Sequence, residues 1–209
     1  MISNDIGIFP LFAWPLLRTN LRDLDSDNQA ILNIVDTEPL RQNQSNLIHN
    51  DIDILERPEL AQLKADIMAM VDHYAFKVLA YKDVTCELQQ SWINVTPPGT
   101  EHTLHWHTNA FISGTYYPFG VDQSPIIFHN PNRFQFVPNT DGSVQDPLSM
   151  ISRNCLYVTP SVGELMLWLS PLPHHVRTNQ GESDRISISF NIMLRGYVGH
   201  EKSLSGARL

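Results

Sequence analysis

The sequence is short of most features that would place a protein quickly. Only two cysteines occur in 209 residues, Cys86 and Cys155. That is too few for a disulfide framework, and two buried, reduced thiols are the expectation. No apolar run reaches the roughly 18 residues that a membrane-crossing helix needs. The opening stretch MISNDIGIFPLFAWPLL has no basic residues and is interrupted by Pro10 and Pro15, which argues against a signal peptide. Positive charge is scarce too. Fourteen Lys and Arg stand against 22 Asp and Glu, for a net charge of -8, and no basic cluster offsets it. Such a surface repels phosphates, so no nucleic-acid partner is expected. Repeats and low-complexity linkers are absent. The expectation is a soluble, cytoplasmic chain without a membrane or nucleic-acid partner. Its oligomeric state is left open, a homodimer included.

What is present is a globular composition, 42% hydrophobic and 17% charged, of a length that suits one domain. Residues 7–18 read as an extended, proline-containing edge segment. LRDLDSDNQAILNIV (21–35) is compatible with a short helix. Residues 57–81 read as a helix, with Pro58 and Glu59 in the first turn. Its apolar stripe is Leu60, Leu63, Ile67, Met70, Val71 and Tyr74. After residue 83 the texture changes to short β-branched and aromatic runs: SWINV, ISGTYYP, PIIFHN, FQFVP, CLYVTP, ELMLWLS and RISISFNIML. Such a series behind one helical region predicts a mainly β fold with bracing helices, of jelly-roll type. The division expected is one domain over 1–209. Residues 1–83 would supply strands and bracing helices, and 84–197 the core. Residues 138–152 read as a loop and candidate lid.

Five of the nine histidines fall in two stretches, His102, His105 and His107, then His174 and His175. Side chains alternate along a strand, so His105 and His107 should share a face, with Cβ atoms about 6–7 Å apart. Two imidazoles at that spacing can meet one metal ion. The same parity sends Trp106 into the opposite packing layer, and sends His102 to the face opposite His105. His174 and His175 should diverge. An HxH pair alone is more often a half-exposed polar face than a metal site, so the downstream context matters. Eleven residues after His174, Arg185 opens RISISFN. Arg185, Ser187, Ser189 and Asn191 should share one face, and Ile186, Ile188 and Phe190 the other. An inward arginine is costly unless an anion meets it, and its planar fork suits a carboxylate. A structural Asp or Glu is the competing partner.

The ordered set Trp92-x-Asn94, Gly99, His105-x-His107, Ser113 to Tyr117, Gly163, His174-x-Val176 and Arg185 to Asn191 resembles the 2-oxoglutarate and iron(II)-dependent oxygenases, most of all a bacterial and viral group of them. The resemblance covers roughly residues 86–195. It implies a double-stranded β-helix barrel open at one end, with iron(II) held facially in its mouth by three side chains: His105, His107 and His174. It further implies that 2-oxoglutarate chelates the metal and sets its far carboxylate on Arg185 and Ser187. Asn94, Tyr117 and Asn191 are then supporting or co-substrate contacts, and oxygen is the other co-substrate. The implied reaction hydroxylates a primary substrate that the sequence does not name, with release of succinate and carbon dioxide.

One departure stands out. Most such enzymes carry a carboxylate where His107 stands. Glu101 has the right parity but lies about 13 Å from His105 along a strand. Either His107 is a ligand, giving an all-histidine triad, or water takes that place. Two rival readings follow. One is an all-histidine metal dioxygenase without 2-oxoglutarate, in which Arg185 holds the substrate's own carboxylate. The other is a non-catalytic metal-binding jelly roll.

Overall fold

The computed structural model describes residues 13–119, 124–131, 154–199 and 206–209. The chain begins with β1 (Leu17–Asn20), α1 (Asp25–Thr37) and a hairpin of β2 (Leu40–Asn43) and β3 (Asn46–His49). Two single-turn helices, Ile54–Glu56 and Pro58–Leu60, lead into α2 (Ala61–His73), which widens into a looser turn over Tyr74–Val78. Then come β4 (Val84–Thr96), β5 (His102–His105), β6 (Ile112–Phe119), β7 (Ile126–His129), β8 (Cys155–Val158), β9 (Glu164–Leu169), β10 (His174–Val176), β11 (Arg185–Val198) and β12 (Ala207–Arg208).

The strands make two antiparallel sheets. The larger runs β1-β9-β6-β11-β4-β3-β2, with β12 on β11, and the smaller runs β5-β10-β7-β8. Period-two alternation decides what each face does. On the larger sheet, Ile186, Ile188, Phe190 and Ile192 of β11 join Ile93 and Val95 of β4 and Leu165 and Leu167 of β9. They pack on Ile31 and Ile34 of α1 and on Leu63, Ile67 and Val71 of α2. Each such aliphatic side chain taken fully from water contributes about 1.5–3 kcal/mol. The opposite face of the sheet sends Tyr117, Met166 and Trp168 against Ile126, Phe128 and Val158 of the smaller sheet. The alternate residues of β11 and β4 on this inner side are polar, and they build the site.

Gly114, in the SGTYY run, has a packing reason. A Cβ there would lie 2.3 Å from the Phe190 ring and 2.6 Å from Leu167. Gly99 has a backbone reason. It sits at φ +79° in a turn closed by Thr100 N–H donating to the Pro97 carbonyl at 3.1 Å. A proline followed by a positive-φ residue is what that turn type needs.

Several expectations are corrected. The 57–81 helix is divided: the regular part is α2, with a single turn before it and a wider one after. The edge segment read over 7–18 becomes a strand only at Leu17, where β1 pairs with β9. Pro15 instead offers its carbonyl to the Tyr74 hydroxyl at 2.7 Å. The β2–β3 hairpin was not anticipated. FQFVP, residues 138–152 and residues 7–12 lie outside the described residues. Both cysteines are free. No helix among the described residues is long and apolar enough to cross a membrane.

Candidate active site

A cleft opens between the inner face of the larger sheet and the β5–β10 end of the smaller one. Its floor is set by alternation along three strands: Trp92, Asn94 and Thr96 from β4, Thr115 and Tyr117 from β6, and Arg185, Ser187 and Ser189 from β11. The smaller sheet contributes His102, His105, His174 and Val176, with His107 just beyond β5.

His105, His107 and His174 each present a ring nitrogen within 4.8 Å of the others'. His105 and His174 face each other directly across β5 and β10. His107 lies past the end of β5, where its N–H donates to the Ser170 carbonyl at 3.1 Å. The His107 ring lies nearly parallel to that of His174, at an interplanar angle of 5°. Burial, ahead of all other causes, keeps the three rings neutral by lowering their pKa values. His107 falls to about 4, His105 is lowered and His174 drops well below the usual value. Neutral imidazole is the ligating form. Two of the rings are also oriented. Nδ1 of His105 meets the Thr103 carbonyl at 2.7 Å, and Nδ1 of His174 meets the Leu172 carbonyl at 2.9 Å. The His107 ring lies near the Asn191 side chain, itself held by the Ser113 hydroxyl at 2.9 Å. Carbonyl contacts at Nδ1 leave Nε2 for an ion, which is how metal-binding histidines are commonly oriented.

Also in the cleft, Arg185 is 2% exposed, and no carboxylate among the described residues pairs with it. Its Nη1 reaches the Ser187 hydroxyl at 3.4 Å, and its guanidinium carbon lies 4.9 Å from the centre of the Tyr117 ring. Its Nε and the Tyr117 hydroxyl have no hydrogen-bond partner among the described residues. A buried guanidinium with an idle donor is costly unless an anion completes it. The structural Asp or Glu considered as its partner is therefore absent among the described residues. Asn94 is fixed by a bond from its Nδ2 to Ser189 Oγ at 3.0 Å and by one received from Trp92 Nε1 at 3.2 Å.

Seven of the expected site residues thus line one cleft: Asn94, His105, His107, Tyr117, His174, Arg185 and Ser187. Asn191 stands behind His107 rather than in the cleft. Two orientations are corrected. Trp106 points away from the cleft but into solvent, at 58% exposure, not into a packing layer. His102 does not face away from His105. A register shift between β5 and β10 pairs His174 with His105 and Val176 with His102, so three residues of β5 span two of β10. The extra residue returns His102 to the inner face, its ring stacked on that of His105 at 4.3 Å. His175 does diverge from His174, and its Nδ1 meets His129 Nε2 at 2.9 Å on the outer side.

Comparisons with known proteins agree with this geometry. Solved structures with the same arrangement are double-stranded β-helix enzymes. A prolyl-4-hydroxylase from Pseudomonas putida is 17% identical, with a TM-score of 0.57 over 88% of this chain and 93% of that one. The epimerase SnoN, in complex with Fe3+, alpha-ketoglutarate and nogalamycin RO, is 12% identical, with a TM-score of 0.61 over 93% and 90%. A prolyl hydroxylase from Trichoplax adhaerens, in complex with a hypoxia inducible factor peptide, is 15% identical, with a TM-score of 0.60 over 85% and 83%. No curated protein matches the sequence. Residues 90–191, just under half of the chain, match the family described as "Putative 2OG-Fe(II) oxygenase". That match supports an oxygenase-type enzyme with iron(II) and 2-oxoglutarate as its cofactors. The residues present fit both groups, with neutral, oriented imidazoles for the metal and an idle buried guanidinium donor for a carboxylate.

Proposed function

We propose that the chain is a 2-oxoglutarate-dependent dioxygenase that hydroxylates a primary substrate, with His105, His107 and His174 as the iron ligands and Arg185 with Ser187 as the anchor for the co-substrate's far carboxylate. The observation that carries this reading is the idle, buried Arg185 donor facing the same cleft as the three-histidine cluster. Iron(II) with 2-oxoglutarate supplies oxygen activation coupled to decarboxylation of the co-substrate to succinate. The protein's own contribution is placement. Arg185 and Ser187 fix one end of the co-substrate by a charge-assisted contact, the Thr103 and Leu172 carbonyls hold the His105 and His174 rings, and Trp92, Tyr117 and Ile126 line the walls.

An all-histidine set leaves the metal one unit more positive than the common set with a carboxylate. That favours capture of a dianion and weakens retention of the bare ion. The test is anaerobic titration of the iron(II)-loaded protein with 2-oxoglutarate, followed by admission of oxygen. A new visible absorption band, then one succinate per co-substrate consumed, is the expected result. Iron binding with no response to 2-oxoglutarate would instead favour a dioxygenase in which Arg185 holds the substrate's own carboxylate.

A further inference from the structure

His102 is a fourth histidine in the cleft, and neither the metal cluster nor the Arg185 anchor accounts for it. The bulge in β5 turns it inward opposite Val176, and it lines the same cleft as Arg185 and Ser187. Its nitrogens stand outside the group of three that lie within 4.8 Å of one another, so it is not placed as a fourth ligand. Its ring stacks on that of His105, and it also lies within the electrostatic reach of Arg185. It therefore shares the cleft with both the metal cluster and the guanidinium. Unlike His105 and His174, it has no hydrogen bond to its ring from the described residues. A cleft-facing ring nitrogen with no protein partner is open to an acceptor from a ligand. An imidazole in that place offers an N–H to the cleft.

We propose that His102 is a positioning residue for the co-substrate, donating a hydrogen bond from its ring to a carboxylate oxygen of bound 2-oxoglutarate. The inference rests on the reading of the cleft as a 2-oxoglutarate site. Its chemistry is specific. The ligand must be an anion long enough to run from the cluster to Arg185, with an acceptor oxygen where the His102 ring can reach it.

The experiment compares wild type with H102F and H102Q. Phenylalanine keeps the stacked ring and removes the donor, and glutamine removes the ring and keeps a donor. Anaerobic calorimetry measures iron(II) binding first and 2-oxoglutarate binding to the iron-loaded protein second, with thermal melts alongside. H102F should bind iron(II) as wild type does, yet bind 2-oxoglutarate about 10- to 100-fold more weakly, as expected for loss of one donor to a charged acceptor. H102Q should recover part of that loss. Should H102F fail to fold, H102A takes its place in the same comparison. Unchanged 2-oxoglutarate affinity in the donor-less variant would overturn the proposal alone, and so would loss of iron(II) binding in both variants. Absence of 2-oxoglutarate binding by wild type would overturn the underlying reading as well, so the two failures are told apart.

Discussion

His105 and His174 occupy directly opposed positions on antiparallel β5 and β10, and their ring centroids are 4.4 Å apart. His175, the next residue, turns outward to His129. We therefore expect His174→Ala to abolish tight iron(II) binding and His175→Ala to leave it close to wild type. Metal content after anaerobic loading and desalting measures both. The reverse order would mean that the strand is read one residue out of step.

His107 stands where a carboxylate is usual. Its ring lies parallel to that of His174, at an interplanar angle of 5°. His107→Asp should still bind iron(II), since it restores the commoner ligand set, whereas His107→Ala should bind it more weakly or not at all. If His107→Ala retains wild-type affinity, water rather than imidazole completes the site.

Removal of the Arg185 guanidinium should separate function from stability. Loss of a buried charge-assisted pair costs about 2–5 kcal/mol, or roughly 30- to several-thousand-fold in 2-oxoglutarate affinity. Arg185→Ala should show that loss with iron content near normal. Arg185→Lys should recover only a part, because an ammonium lacks the planar fork. Without ligands, however, the wild-type side chain is buried and under-bonded. Arg185→Met should therefore raise the melting temperature of the metal-free protein. A lower melting temperature would show that the guanidinium has a structural partner.

Acid should loosen the attachment of β1. Burial pushes the Glu164 carboxyl up. The Arg18 side-chain hydrogen bonds, the Ser161 N–H and the Arg18 charge outweigh it, leaving the pKa below the ordinary value. Arg18 Nη2 donates to Glu164 at 3.0 Å and ties β1 to β9. For a carboxyl lowered on folding, the stabilisation is complete above the unfolded value of about 4.3 and is lost as pH falls through the folded value. Glu164→Gln should be less stable than wild type at neutral pH, with the gap closing as the pH falls through this range. Urea midpoints from pH 7 to pH 3 measure this, and a gap that widens toward acid would contradict it.

Gly114→Ala should destabilise the fold by about 1–3 kcal/mol through overpacking, because the added methyl meets Phe190 and Leu167 inside contact distance. Chemical denaturation measures it. Gly114→Ala with Phe190→Leu should recover part of the loss if the clash is the cause.

Much of this was legible from alternation alone. RISISFN declares its two faces at every position, and the structure sends Ile186, Ile188 and Phe190 to the helices and Arg185, Ser187 and Ser189 to the cleft. The stripe of α2 was readable for the same reason, since Leu63, Ile67 and Val71 recur at helical spacing and are fully buried. Two features were hidden. The β2–β3 hairpin turns through Gln44 at φ 46°, where a glycine or asparagine would have signalled it. His102 was assigned to the wrong face because parity counting assumes an unbroken ladder. HTLHWH contains no glycine or proline to mark the bulge, and the exposed Leu104 and Trp106 are the nearest thing to a clue.

β5 is the outermost strand of the smaller sheet. It is four residues long and is paired through its bulge to a three-residue neighbour. Such a strand can part from its neighbour without the rest of the molecule opening. An ion gripped jointly by His105, His107 and His174 would rivet this loose hem to the next strand. Its departure and the hem's parting would then be a single kinetic event. The residence time of the ion would follow amide exchange at residues 102–105 rather than global unfolding, so a substitution that firms the hem would slow metal release without adding a single ligand.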